Sequence, residues 1–154
     1  MKKILAIGAI VACVGFVPLL PAATLQPEFS TYLGGGAWQE GRSIAVDSSG
    51  VYICGWTGSN DFPTANAYQA NNQGGSDAVV IKLSSTGSTL IYATYLGGVN
   101  DDLGHSIAVE NKEVYVAGQT YSPNFPTCNA YQGVPAWSKL STGFVTKLSA
   151  TGNW

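Results

Sequence analysis

Gly41-Arg42-Ser43-Ile44-Ala45-Val46-Asp47, followed by Val51-Tyr52-Ile53-Cys54-Gly55, is written twice in this chain. Sixty-three residues later the first run returns as Gly104-His105-Ser106-Ile107-Ala108-Val109-Glu110 and the second as Val114-Tyr115-Val116-Ala117-Gly118. Working outward, Phe62-Pro63-Thr64 and Asn66-Ala67-Tyr68-Gln69 return as Phe125-Pro126-Thr127 and Asn129-Ala130-Tyr131-Gln132. Residues 29–69 align with 92–132 without a gap, with 22 identities in 41 positions. A fixed period of this size is the signature of a repeat architecture. Positions kept in both copies read as structural, and positions that differ are free for other work.

Each period holds four short runs of β character, here called A to D with A innermost. In the first full copy they are Arg42–Asp47, Val51–Thr57, Ala78–Ser84 and Leu90–Leu96. Val, Ile, Tyr and Thr dominate them, and Gly, Ser, Asn and Asp separate them, as half-buried strands joined by turns require. No segment beyond the N-terminal apolar run carries a helical period. Four strands per unit is the arithmetic of a β-propeller blade, so the fold class is all-β, antiparallel and propeller-like. The A–B and C–D connections are short. The B–C connections, roughly 58–77 and 121–143, and the glycine-rich D–A connections, 34–41 and 97–104, are longer. In a propeller these two loop types leave on the same face, which predicts one crowded, functional face. Phe62, Tyr68, Phe125 and Tyr131 are expected to plug the space between blades.

Phe29–Leu33 aligns with Tyr92–Leu96, so a D strand opens the series. The expected order is D, A-B-C-D, A-B-C, with residues 24–98 carrying the leading D strand and a full blade. Residues 99–154 carry a second blade without its last strand. Two blades do not close a ring of about four to eight. The chain is expected to be part of a longer propeller, or to assemble as copies in which the Phe29 strand of one completes the last blade of another, covering an exposed edge.

Residues 1–23 read as a secretory signal peptide. Lys2 and Lys3 precede an apolar run from Ile4 to Leu20, and Pro21-Ala22-Ala23 supplies small residues, with cleavage expected after Ala23. In a rival reading Ile10-Val11-Ala12-Cys13 is a lipoprotein box that anchors the chain through Cys13. Past the leader, five basic side chains stand against nine acidic ones, with no Lys/Arg cluster of the kind a nucleic-acid surface needs. Export permits disulfides. Cys54 and Cys128 nonetheless align with Ala117 and Ala65, so neither is a framework position, and both a bridge and two separate thiols stay open.

Ser30-Thr31-Tyr32-Leu33-Gly34-Gly35, Gly41 to Asp47, Val51 to Gly55 and Asp61-Phe62-Pro63-Thr64 resemble the bacterial SBBP repeat, the beta-propeller repeat family. Ala67-Tyr68-Gln69, Gly75-Ser76-Asp77-Ala78 and Tyr92 to Gly98 look like further parts of the same unit, so the resemblance runs over 29–154. It implies a propeller in extracellular or cell-surface bacterial proteins and no catalytic activity. The second copy departs from the pattern: its A–B turn is Glu110-Asn111-Lys112-Glu113, it has two extra residues between Gln132 and Lys147, and it lacks the Gly-Ser-Asp-Ala lead into strand C.

His105 beside Ser106 invites a nucleophile reading. Adjacent strand residues point to opposite faces, however, and the repeat places Arg42 where His105 stands. Asn100-Asp101-Asp102 offers oxygen ligands for Ca²⁺. The first copy has Ala37-Trp38-Gln39 there, so the repeat does not build a metal site. No cofactor is expected. The tryptophans are the better lead: Trp38, Trp56 and Trp137 are not demanded by the repeat, and all belong to or lead into the long-loop face. With Asp101 and Asp102 they form the expected ligand face. These readings add up to a secreted or cell-surface, non-catalytic interaction module with a protein or glycan partner. The alternatives are a lectin-like glycan binder and, more remotely, a polysaccharide-active enzyme.

Overall fold

The computed structural model describes residues 26–135 and 140–152. The leader with its cleavage after Ala23, the Cys13 anchor, and Trp137 lie outside the described residues. Among the described residues, seven strands form two antiparallel sheets. Blade 1 is β1 (Gln39–Asp47), β2 (Gly50–Thr57), β3 (Asp77–Leu83) and β4 (Leu90–Leu96), in the order β1-β2-β3-β4. Blade 2 is β5 (Asp102–Glu110), β6 (Glu113–Thr120) and β7 (Thr142–Leu148), in the order β5-β6-β7. Each inner strand bulges at the same place. The register slips between Gly41 and Ser43 in β1 and between Gly104 and Ser106 in β5.

The hairpin turns follow their local chemistry. In β5–β6, Asn111 and Lys112 both take positive φ (52° and 68°), the paired left-handed conformation that matches hairpin twist. In β1–β2, Asp47 does the work with its side chain, whose Oδ1 accepts from the Ser49 N–H and Oγ–H, both at 2.7 Å.

Period-two alternation gives each sheet two faces, and the blades stack by opposite faces. On one face of blade 1, Tyr52, Cys54, Ala78, Val80, Tyr92 and Leu96 are buried. They meet Ile107, Val114, Val116, Phe144 and Leu148 of blade 2, which together make the inter-blade core. The other face of blade 1 (Val79, Ile81, Leu83, Ala93, Tyr95) is covered by Phe62 and Leu33 from loops. Tyr95 fastens that cover: its hydroxyl donates to Ser59 O (2.7 Å) and accepts from Phe62 N–H (3.1 Å).

The long β2–β3 loop runs along the outer edge of β4. Ala65 and Ala93 exchange backbone hydrogen bonds at 3.2 and 2.9 Å, and Tyr95 N–H donates to Gln69 O at 3.0 Å. The edge strand is thereby blunted. Asn66, with φ of 46°, makes the bend and donates through Nδ2 to Ile91 O.

Two expectations need correction. Phe29–Leu33 is not a strand, because among the described residues no neighbouring strand offers it a ladder, and a lone strand leaves its backbone groups unpaired. Tyr68 and Tyr131 are exposed instead of plugging the gap between blades. Of the expected plugs, Phe62 is buried, and Phe125 stacks on Phe144 with ring centroids 4.4 Å apart.

Candidate functional site

The longer loops leave one side of the two blades, as the strand order requires, and a ladder of hydrogen bonds ties them together. Gly36 N–H donates to Asp61 Oδ1 (2.8 Å), Ala37 N–H to Ser59 Oγ (2.8 Å), and Gly58 N–H to Trp38 O (2.8 Å). Each bond recurs one period on. Val99 N–H donates to Asn124 Oδ1 (3.0 Å), Asn100 N–H to Ser122 Oγ (2.9 Å), and Tyr121 N–H to Asp101 O (2.9 Å). Ser59 and Ser122 are identical across the repeat, and Asp61 and Asn124 are both acceptors. The recurrence of those side chains was the sequence signal for a pre-ordered face.

Beneath this face lie two buried carboxylates. Asp77 Oδ2 accepts from Gln69 Nε2 (2.6 Å) and Gln73 N–H (2.9 Å). Asp102 Oδ2 accepts from Gly98 N–H (2.6 Å) and Ser122 Oγ–H (2.7 Å). Both residues are fully buried, and the Oδ1 atom of each accepts nothing. They converge on Gly97, where an added Cβ would lie 2.6 Å from Asp77 Oδ1 and 2.7 Å from Asp102 Oδ2. Only glycine fits between them. Burial pushes the Asp77 carboxyl up to about 6, with the Asp102 charge adding to the rise. Asp102 is raised as well, again chiefly by burial. Asp102 was expected on the ligand face, but its place is structural: it holds the β4–β5 turn from below.

The oxygen atoms of Asn100, Asp101 and Asp102 weighed for calcium do not act together. Asn100 Nδ2 donates to Tyr121 O, Asp101 Oδ1 accepts from Ser76 N–H, and Asp102 points inward. Among the described residues no three His, Cys, Asp or Glu side chains gather to hold a metal. Asp101 stays on the loop surface. Trp38 projects from it 85% exposed. Trp56 is half-buried, its Nε1–H donating to Glu40 Oε2 at 3.1 Å. Of the residues expected on a ligand face, Trp38 and Asp101 are exposed and stand at equivalent positions of neighbouring repeats.

The bulges assemble one cluster that spacing alone did not reveal. A bulge re-aims the side chain at its extra residue, and here those residues are Arg42 and His105. Arg42 Nη1 donates to His105 Nδ1 at 2.6 Å, which places the proton of the neutral ring on Nε2. Arg42 Nη2 pairs with Glu40 Oε2 at 3.2 Å. The Arg42 hydrogen bond, helped by the Trp56 indole, holds the Glu40 carboxyl below its ordinary range. The two cysteines stay apart. Cys54 is buried, its thiol pushed up to about 11 by that burial, and Cys128 is exposed; both are free.

Residues 28–63 match the family model of SBBP, the beta-propeller repeat. The matched unit runs from the leading Phe29 segment through β1 and β2 to Pro63, so the sequence repeat straddles the junction between structural blades. No curated protein matches the chain.

Proposed function

We propose that this chain, which carries an SBBP beta-propeller repeat, is a non-catalytic interaction module exported to the bacterial cell surface. Its recognition surface is the face that carries the long loops. The observation behind this reading is the doubled ladder from Gly36, Ala37 and Gly58 to Val99, Asn100 and Tyr121. A loop face fixed in advance loses little conformational entropy when a partner docks. The leader-like residues 1–23 support export. His105 supports the non-catalytic reading, because its Nδ1 is occupied by a guanidinium and so offers no base to a nucleophile through that atom.

One observation favours a second, lectin-like reading. Trp38 stands 85% exposed on this face, and stacking of a sugar ring on an exposed indole is a recognised use of such a side chain. Two measurements on the purified protein test both readings. Release of reducing ends from a panel of polysaccharides should show no turnover, and sustained turnover would overturn the non-catalytic assignment. Binding to a glycan array, lost in Trp38→Ala, would establish the lectin reading. An array with no signal above background would dismiss it.

A further inference from the structure

The junction inside this molecule is also a pattern for a junction between molecules. Blade 2 offers β5 and its neighbours to blade 1, and Ile107 is 7% exposed there. Its counterpart on blade 1, Ile44, faces outward at 66%, and Val46, the counterpart of Val109, also lies open at 66%. The opposite side of the junction repeats the mismatch. Val80 of blade 1 is fully buried, whereas its counterpart Val145 on blade 2 is 79% exposed. The free face of blade 1 therefore has the composition that blade 2 presents at the internal junction. The free face of blade 2 has the composition that blade 1 presents there.

The outer edge of β7 is open in the same sense. In blade 1, β4 pairs with β3 through Val79↔Tyr95, Val80↔Thr94 and Ile81↔Ala93. Blade 2 has no fourth strand among the described residues, and a groove of about 820 Å³ runs beside β7, lined by Ser122, Phe125, Phe144, Val145 and Tyr131. Cys128 and Gln132, the counterparts of Ala65 and Gln69, are exposed.

The chain also carries a segment with the sequence of such a strand. Phe29-Ser30-Thr31-Tyr32-Leu33 matches β4 residues Tyr92-Ala93-Thr94-Tyr95-Leu96 at three of five positions. Tyr32 is 102% exposed. Phe29 already lies against Gly87, at the turn after β3, as Tyr92 of β4 lies against Gly152 at the turn after β7. So the segment stands on the free face of blade 1 where the last strand of a preceding blade belongs. The partners of its tyrosine hydroxyl are ready as well. Ser59 O and Phe62 N bracket the Tyr95 hydroxyl, while their counterparts Ser122 O and Phe125 N, with no tyrosine between them, bond to each other at 3.4 Å.

From these observations we infer that, within the interaction-module reading on which this rests, the partner is a second copy of this chain, docked head to tail. The free face of blade 1 of one copy packs on the free face of blade 2 of the next, and residues 29–33 enter as its fourth strand. The register transfers from blade 1: Phe144 opposite Tyr32, Val145 opposite Thr31, and Thr146 opposite Ser30. The Tyr32 hydroxyl inserts between Ser122 O and Phe125 N. Such a contact is heterologous, and it closes when the rotation completes a ring.

Size-exclusion chromatography with light scattering tests this on the purified protein. The wild type should run at a discrete mass of more than one chain. Val145→Glu and Ile44→Glu place a charge on faces that are exposed in the single chain, so each should remain folded by circular dichroism yet lose assembly. Each variant keeps one intact face, and mixing them should restore a one-to-one pair. Adding Tyr32→Ala to Val145→Glu should abolish that pair. A wild type of single-chain mass, variants that assemble as the wild type does, or a mixture that forms no pair would each overturn the inference. A single-chain protein that still binds a ligand through Trp38 would overturn self-assembly alone and leave the loop-face reading standing.

Discussion

Replacing Asp77 by Asn should remove a pH dependence that the fold carries because a carboxylate is buried beside another. The folded-state value of Asp77 is about 6 against an ordinary 3.8. An acid whose value is raised on folding binds its proton more tightly in the folded chain. Stability is therefore highest where Asp77 is protonated in both states, and it falls as pH rises through 3.8 toward 6 and then levels off. Two-state linkage with these values gives a loss on the order of 1 kcal/mol between about pH 5 and pH 7.5. Asp47 and Glu40, whose values are lowered by the hydrogen bonds of Ser49 and of Arg42, oppose this trend at lower pH, and Asp102, also raised by burial, is present in both proteins compared. Asn keeps a carbonyl oxygen for the Gln73 N–H and Gln69 Nε2–H and carries no charge. Urea denaturation of both proteins at the two pH values reads the effect. The wild type should lose on the order of 1 kcal/mol more than Asp77→Asn on going to the higher pH. Equal responses would mean that Asp77 ionises in the folded chain as it does in an unfolded one, and the burial argument would fail.

Tyr95→Phe strands a buried N–H and a buried carbonyl that the hydroxyl now bridges, at a cost of about 1–3 kcal/mol in urea denaturation. Gly55→Ala drives a methyl group into the Glu40 carbonyl at the β1 bulge, so thermal unfolding should shift down by several degrees or the chain should fail to fold. A maleimide should label Cys128 in the native protein and reach Cys54 only after unfolding, which mass spectrometry would show as one adduct and then two. Arg42→Ala frees His105 Nδ1, and ¹⁵N spectra of the neutral ring should change from a single Nε2–H tautomer to a mixture, with little change in stability.

The repeat, readable as 22 identities over 41 positions, was enough to set the number of strands per blade, their antiparallel order and the shared side of the long loops. Strand propensity and turn residues are local properties, and a tandem copy doubles their signal. Ser59 and Ser122 could be singled out for the same reason, since both copies need the same acceptor. What lies between copies was not legible. Asp102 aligns with Gln39, and nothing in either residue says that one will be sealed beneath a glycine turn beside Asp77. Arg42 and His105 looked like a solvated exchange at one repeat position, yet bulges on adjacent inner strands bring them to 2.6 Å. Phe29–Leu33 carries the sequence of a strand and stays unpaired, because a strand exists only with a neighbour to bond. The sequence by itself determined the blade. The tertiary structure decided which faces of the blades are filled and which lie open, since burial and pairing depend on what stands across a junction and not on the residues of one repeat.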